Sequence, residues 1–276
     1  MEKCFSRQGC DLLRELYLIP DPAQPEASLA MAAEYDAGFE YNDFFSPQLL
    51  DEGEALRARI ALWRGFGREA RRDTMHGVFY DVTVHSDDGQ IRRVSERRVR
   101  QNMEIAREME LRGVVFHTNL IPNFNSAFYL DNWLNRNADF FTRLCADYPE
   151  IEVWMENMFD TEPDMLCALA SRMAAVKNFG LCFDRAHAEV FGGGGKGWLE
   201  ALAPHIRHMH INDNDGLTDR HDPVGSGIID WQGFDQALRA HHVHASVLVE
   251  TADLQKQRAS LEYMRAHSIY PFSDGR

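Results

Sequence analysis

The sequence predicts an α/β fold, a single (β/α)8 TIM barrel that spans residues 1–276 as one domain. Eight short apolar runs alternate with eight helical patterns, and 276 residues divided among eight units give 34.5 residues per unit. Units of this length suit a closed barrel of parallel strands. No Pro/Ser-rich linker or change in composition divides the chain. An open doubly wound sheet is the alternative arrangement of the same elements.

The strands are predicted from short runs of β-branched, aromatic and other apolar residues. The first run ends at Pro20 and the third runs into Gly77, both of which are residues that interrupt regular structure. The predicted strands cover residues 16–19, 38–41, 73–76, 114–116, 151–155, 181–183, 206–211 and 246–249. Residues 1–15 could add a small helix before the first strand.

The helices are predicted from apolar residues that recur at helical spacing. Leu56, Ile60 and Trp63 lie on one face of the second helix. Val99 and Met103 do the same in the third, a charged amphipathic helix. The predicted helices cover residues 26–36, 55–66, 94–111, 128–147, 163–177, 197–203, 231–240 and 254–267. The glycine run 192–195 lacks the spacing of a phosphate-binding loop and is interpreted as a flexible βα loop.

Charge and cysteine content narrow the class of protein. The chain has 29 Lys and Arg against 43 Asp and Glu, a net charge of −14, which disfavours a broad nucleic-acid or anionic-membrane surface. The five cysteines form no C-x-x-C pair and are expected to be reduced thiols: Cys4, Cys10, Cys145, Cys167 and Cys182. Because no apolar run reaches the ~18–20 residues of a membrane span and no signal-type segment is evident, we expect no membrane association and a cytoplasmic location.

Polar residues of metal-ligand type lie at or near the ends of six successive predicted strands. They are His76, His117, Glu156, Asp184, His210 and Glu250, with a mean spacing of 34.8 residues. The carboxyl ends of barrel strands form one rim, where active sites assemble, so these side chains are expected to converge. His187, Asp219 and His221 follow nearby and bring the set to nine. Imidazole and carboxylate together suit a divalent ion: Mn²⁺, Zn²⁺, Co²⁺ or Mg²⁺.

A structural interpretation competes with ligation at each of these positions. A single histidine at a strand end is more often hydrogen-bonded than metal-bound. Glu156 and Glu250 are harder to explain that way, because each follows an apolar run in which an isolated carboxylate would be desolvated. His208 shares a strand face with His210 and is either a supporting residue or simply buried.

Weaker polar features and the tryptophans are assigned structural roles. The histidines 241, 242 and 244 are interpreted as parts of a solvated loop. Trp133, Trp154, Trp198 and Trp231 are predicted to pack in the core or at the rim, where one of them could stack against the face of a sugar.

Together these residues resemble a known superfamily, the xylose-isomerase-like barrels, which include endonuclease IV and many sugar isomerases and epimerases. The resemblance covers roughly residues 74–251. It is carried by His76, His117, Trp154-Met155-Glu156-Asn157, Asp184-Arg185-Ala186-His187, His208-Met209-His210, Asp219-Arg220-His221, Gly225-Ser226-Gly227 and Val249-Glu250-Thr251. The motifs are specific for the superfamily and much less so for one reaction.

The resemblance implies two different sites. In the tagatose/psicose epimerase type, one metal is held at the positions of Glu156, Asp184, His210 and Glu250, and the two glutamates transfer protons through an enediolate. His187 would then hold substrate hydroxyls, and Arg220 would contact an oxyanion or phosphate or, equally, brace its loop. In endonuclease IV, a three-zinc cluster uses all nine positions. Dehydratases of the superfamily share the first proton abstraction and stay open as well.

The acidic, apolar loop 41–47 and the negative net charge favour a small sugar or polyol as substrate over nucleic acid. The leading hypothesis is therefore a divalent-metal-dependent sugar, or sugar-derivative, isomerase or epimerase. The alternatives are a zinc-dependent nuclease that cleaves at abasic DNA sites and a non-catalytic sugar-binding barrel. Barrels of this type often pair, so a homo-oligomer is compatible with the sequence, which shows no interface.

Overall fold

Eight parallel strands close into a barrel in the computed structural model, which describes residues 15–69, 72–79 and 81–273. The strands are β1 (Leu16–Leu18), β2 (Gly38–Tyr41), β3 (Thr74–His76), β4 (Gly113–His117), β5 (Glu152–Glu156), β6 (Phe179–Asp184), β7 (Ile206–Ile211) and β8 (Ser246–Val249). Each strand pairs with the next, and β1 pairs with β8 through Leu16 opposite Val247. This confirms the predicted (β/α)8 barrel and excludes the open sheet.

The helices lie between the strands in the predicted order. They are α1 (Pro25–Tyr35), α2 (Pro47–Asp51), α3 (Gly53–Gly65), α4 (Gly89–Glu108), α5 (Ala127–Asp147), α6 (Asp164–Arg172), α7 (Arg185–Val190), α8 (Trp198–Leu202), α9 (Trp231–Ala240) and α10 (Leu254–Ala266), with a 3₁₀ turn at Ala203–His205. Buried Val99 and Met103 confirm the apolar side predicted for α4.

The largest differences from the sequence predictions are the ends of two helices and two short helices that the sequence did not predict. Helix α4 begins at Gly89 rather than at residue 94, because the Asp88 side chain accepts a hydrogen bond from the Gln90 amide and caps it. Helix α6 ends at Arg172 rather than at 177, because the residues after Arg172 form turns. Helices α2 and α7 were not predicted, since five or six residues are too few to show helical periodicity. The small helix suggested for residues 1–15 lies almost wholly outside the described residues.

Apolar side chains fill the space between the barrel and its helices. The predicted tryptophans Trp133, Trp154, Trp198 and Trp231 are all at most 1% exposed, which confirms their packing role.

The described cysteines 145, 167 and 182 are free thiols, as expected, whereas Cys4 and Cys10 lie outside the described residues. Within the described ranges, no helix combines the length and apolarity that crossing a bilayer requires.

The inside of the barrel is more polar than its outside. Val115, Trp154 and Cys182 form an apolar cluster there. Alternation along the strands places the residues two positions further on, His117, Glu156 and Asp184, on the same interior side but nearer the carboxyl ends. The apolar cluster therefore forms a base beneath the residues that the sequence predicted as ligands.

Candidate metal centre

The carboxyl ends of the strands bring the predicted ligands together. His76, His117, Glu156 and Asp184 are the last residues of β3, β4, β5 and β6. His210 lies near the end of β7 and Glu250 directly follows β8. All six residues are buried. The predicted convergence at one rim is thus what the fold produces.

A central group consists of Glu156, Asp184, His210 and Glu250. One potential ligand atom from each lies within 4.8 Å of the others. The Nδ1 atom of His210 lies between the two glutamates, 3.2 Å from Glu156 Oε1 and 3.5 Å from Glu250 Oε1. These are the four residues that the resemblance assigned to a single metal ion.

Two histidines form a second group with Glu156. His76 Nε2 and His117 Nε2 are 3.1 Å apart, and they lie 3.4 Å and 3.1 Å from Glu156 Oε2. The two oxygens of Glu156 are therefore divided between this pair and the central group. Phe79 covers the pair, with its ring centroid 5.3 Å from that of His76 and 5.2 Å from that of His117.

A third group is formed by His187, Asp219 and His221. Asp219 Oδ2 lies 3.4 Å from His187 Nε2 and 3.1 Å from His221 Nε2. His187 is placed by the start of α7, where the Asp184 side chain accepts a hydrogen bond from the His187 amide at 2.5 Å. The group is linked to the centre because His187 Nδ1 is 3.4 Å from Glu156 Oε1.

The loop after β7, which carries Asp219 and His221, is held by a buried aspartate that the sequence did not reveal. Asp213 accepts hydrogen bonds from the Gly225 amide at 2.9 Å and from Trp231 Nε1 at 2.8 Å. Its backbone also pairs with Asp222 in a short antiparallel bridge. A loop residue of this kind has no distinctive sequence pattern, because its partners come from several turns.

Arg220 forms ion pairs with two carboxylates of its own loop. Its side chain is 52% exposed, and its Nε lies 2.9 Å from Asp222 while another guanidinium nitrogen lies 3.3 Å from Asp215. This placement favours the loop-bracing interpretation over contact with substrate.

Glu40 is a functional candidate that sequence reasoning missed. It lies on β2, is fully buried, and its carboxylate is 3.0 Å from His210 Nε2 and 3.1 Å from His208 Nε2. The sequence did contain a signal for Glu40, because a carboxylate lies within an apolar strand. Glu156 and Glu250 were selected for a similar reason, since each follows an apolar run. His208 is buried, as expected, and its Nδ1 lies 2.7 Å from Ser246 Oγ.

Burial and mutual charge set the protonation of the central group. Burial alone would raise the pKa of Glu156, but the positive fields of His210 and His117 hold it well below its usual range. Glu250 is affected similarly, and its pKa falls to about 2. Burial raises the pKa of Asp184 well above its usual range, and the adjacent Glu250 and Glu156 carboxylates raise it further. Three carboxylates thus compete for the available positive charge.

The donor set fits a divalent cation. Among the described residues, both Glu156 oxygens, Asp184 Oδ2 and His210 Nδ1 are buried and make no well-aligned hydrogen bond. Buried polar atoms are rarely left without partners unless a functional group or ion satisfies them. A divalent ion would accept these atoms as ligands and also relieve the repulsion between the carboxylates.

Known proteins share this architecture. Residues 30–267 match the family model described as Xylose isomerase-like TIM barrel. The chain belongs to that family. One relative of this xylose isomerase-like barrel is the Uncharacterized protein MJ1311 of Methanocaldococcus jannaschii, which is 24% identical over 204 residues, 70% of this chain and 69% of the relative.

Solved structures share the fold over nearly the whole barrel. The TTHB071 protein of Thermus thermophilus, soaked with zinc chloride, has a TM-score of 0.70 at 24% identity and covers 91% of this chain and 97% of its own. A D-tagatose 3-epimerase-like protein has a TM-score of 0.69 at 21% identity, covering 92% of this chain and 96% of its own. Three sugar epimerases, named for D-allulose, L-ribulose and D-psicose, have TM-scores of 0.63–0.68 at 13–15% identity and cover 90–91% of this chain. At these identities the likeness establishes the fold of this xylose isomerase-like barrel.

Proposed function

We propose that the chain is a divalent-metal-dependent sugar isomerase or epimerase that works by proton transfer next to a carbonyl group. The observation that carries the proposal is the central group, in which Glu156 and Glu250 approach His210 Nδ1 from two different strands. Membership of the xylose isomerase-like family and the sugar epimerases among proteins of similar fold support it.

The residues Glu156, Asp184, His210 and Glu250 would hold the metal ion, which could be Mn²⁺, Zn²⁺, Co²⁺ or Mg²⁺. When bound, a divalent ion supplies Lewis acidity to the carbonyl and hydroxyl oxygens of a sugar. The remaining chemistry belongs to the side chains of the chain itself.

Glu156 and Glu250 are suited to opposite proton transfers. One carboxylate takes the proton from the carbon next to the carbonyl, which leaves the electron pair in an enediolate of the sugar. The other carboxyl group returns a proton to the opposite face, which gives the epimer, or to the neighbouring carbon, which gives the isomer. The two groups have different surroundings, because Glu156 contacts four histidines whereas Glu250 lies beside Asn212 and two histidines, His210 and His221.

His187 is the residue that we assign to substrate hydroxyl groups. Its Nδ1 lies 2.8 Å from the Asn157 carbonyl oxygen, which fixes the ring. Its Nε2 is turned toward Asp219, the outer side of the centre. Arg220 stays a prediction as a substrate contact, and its two loop carboxylates argue against that role.

Solvent-exchange kinetics on a panel of ketoses and aldoses tests the proposal. In D₂O with added Mn²⁺ or Co²⁺, we expect epimer or isomer that carries one deuterium on the carbon next to the carbonyl. Glu156→Gln and Glu250→Gln each remove one acid–base group and are expected to lower kcat by about 10²–10⁴-fold. Glu152→Gln, on the same strand as Glu156 but at its other end, is the matched control and should keep its activity. Metal-loaded protein that exchanges no substrate proton on any sugar of the panel would refute the proposal.

One observation favours a second candidate, phosphodiester hydrolysis at abasic DNA sites. Within the described chain, the groups around His117, Asp184 and Asp219 are adjacent, as a cluster of three ions requires. Elemental analysis separates the candidates, because one exchangeable ion per chain supports the isomerase and about three tightly held zinc ions support the nuclease. Cleavage of an abasic duplex that chelation abolishes would replace the isomerase proposal. A non-catalytic sugar-binding barrel would instead bind its ligand unchanged after Glu156→Gln.

A further inference from the structure

The carboxylate of Glu40 lies inside the barrel, one layer beneath the central group. On β2, Phe39 and Tyr41 point outward to Trp63, and alternation therefore turns Glu40 inward. The residue is 0% exposed. A buried carboxylate costs several kcal/mol unless charged or hydrogen-bonding partners offset the loss of water. The partners of Glu40 therefore show why it is tolerated.

Three groups surround the Glu40 carboxylate. Thr74 Oγ1 donates a hydrogen bond to Oε2 at 2.8 Å. His208 Nε2 lies 3.1 Å from Oε2, and His210 Nε2 lies 3.0 Å from Oε1. The two histidine contacts are at hydrogen-bonding distance but are not ideally aligned. Glu40 thus joins β2 and β3 to β7 across the interior of the barrel.

The contact with His210 constrains which of its ring nitrogens can serve as a ligand. An ionised carboxylate offers only lone pairs, so a nitrogen 3.0 Å away is repelled unless it carries a hydrogen. With a cation at the central group, Nε2 of His210 is therefore the nitrogen that keeps its hydrogen and donates it to Glu40. The opposite nitrogen, Nδ1, is the one that lies 3.2 Å from Glu156 and 3.5 Å from Glu250.

We propose that Glu40 is a positioning residue that orients His210, so that its Nδ1 lone pair faces the cation held with Glu156, Asp184 and Glu250. A metal-bound histidine commonly donates its other N–H to a carboxylate, which fixes the ring and raises its basicity. The inference rests on the proposed metal site, but not on the identity of the sugar or of the reaction.

His208 holds the other side of Glu40. Its ring stacks on Trp154 with centroids 4.7 Å apart and an interplanar angle of 16°, and it meets the edge of Tyr17 at 5.6 Å. Its Nδ1 lies 2.7 Å from Ser246 Oγ. Because that ring is packed on two sides, Oε2 of Glu40 is fixed, and Oε1 is directed to His210. The chain of contacts Ser246–His208–Glu40–His210 leads from the packed interior to the metal centre.

The test is Co²⁺ binding to metal-free protein, followed by calorimetry and by visible absorption. Glu40→Gln keeps the size of the side chain but removes its negative charge and leaves one acceptor oxygen for two histidine N–H groups. We expect Co²⁺ affinity to fall by about 10–100-fold, with an altered cobalt spectrum, while the metal-free protein stays folded. Thr74→Val, which removes a single hydrogen bond to Oε2, provides a second and milder variant with a smaller loss. Glu152→Gln is the matched control, because Glu152 lies at the opposite end of β5 from Glu156. This variant should bind Co²⁺ as the unmodified protein does.

The outcomes separate this inference from the proposed function. Unchanged Co²⁺ affinity and spectrum in Glu40→Gln overturn the positioning role, even if the enzyme epimerises sugars. If Glu40→Gln does not fold, equal Co²⁺ affinity in Thr74→Val and the unmodified protein overturns it. Weakened Co²⁺ binding by Glu40→Gln in a protein that turns over no sugar supports the positioning role and refutes the proposed reaction. Absence of Co²⁺ binding by the unmodified protein refutes both.

Discussion

Asp160 is expected to make the stability of the chain depend on pH in a way that a single substitution removes. The side chain is 2% exposed and lies four residues after Glu156, in the connection that follows β5. Its Oδ2 accepts hydrogen bonds from Thr118 Oγ1 at 2.6 Å and from the Met158 amide at 2.8 Å. Within the described chain, Oδ1 is buried and has no hydrogen-bond partner. Asp160→Asn keeps an acceptor at Oδ2 and places an uncharged amide nitrogen at Oδ1.

The magnitude follows from the burial of this carboxyl group. Burial raises the pKa of Asp160 from 3.8 to about 6 in the folded chain, despite hydrogen bonds that lower it. At ~1.4 kcal/mol per pH unit, this difference makes folding with an ionised Asp160 about 3 kcal/mol less favourable than folding with the neutral form. Because the folded pKa is the higher one, the favourable state is present below pH 3.8 and is lost as the pH rises through 6.

Urea unfolding at a series of pH values measures the effect. We expect the unfolding free energy of Asp160→Asn, relative to the unmodified protein, to increase by about 2.4 kcal/mol between pH 4 and pH 7.5, because a small part of the effect is already present at pH 4. The proposed metal ligands are retained in both proteins, so that any pH dependence of metal binding cancels in the difference. Asp139→Asn, at an exposed position of α5, is the control. If the difference in unfolding free energy between Asp160→Asn and the unmodified protein stays constant over this range, the raised pKa of Asp160 is refuted.

Two further predictions concern stability. Chelation should lower the melting temperature: a ligand present at 100 times its Kd stabilises the folded state by about 2.7 kcal/mol, or roughly 5–10 °C for a chain of this size, as calorimetry with and without Mn²⁺ would show. An equal melting temperature under both conditions, or an equal shift in Glu250→Gln, would contradict a metal ion held by the central group. Trp154→Ala should lower the unfolding free energy by about 3–5 kcal/mol, because it leaves a cavity inside the barrel and removes the ring stacked on His208. Phe128→Ala, at a side chain that is 72% exposed, should change it by less than about 0.5 kcal/mol in the same urea titration.

The outline of the fold was readable because it depends on local patterns. Strand and helix periods repeat every 34.5 residues on average, and that regularity predicts both the barrel and the rim on which strand-end residues meet. The two short helices were not predicted, because neither is long enough to show a period. Helix α2 begins with a proline in its first turn, and α7 begins at a capping aspartate. The same aspartate, Asp184, is also a predicted metal ligand, which links a local cap to the geometry of the site.

The sequence by itself determined which kinds of side chain stand at the ends of the barrel strands, because strand order and alternation follow from the chain. Only the tertiary structure decided how those nine side chains divide into three adjacent groups, and that Glu156 is shared between two of them. It also decided the environment of Glu40 and Asp160, since a carboxylate is stabilised or destabilised by atoms that the fold brings from other strands. Distances and burial of this kind arise only when the barrel closes, and they carry the chemistry.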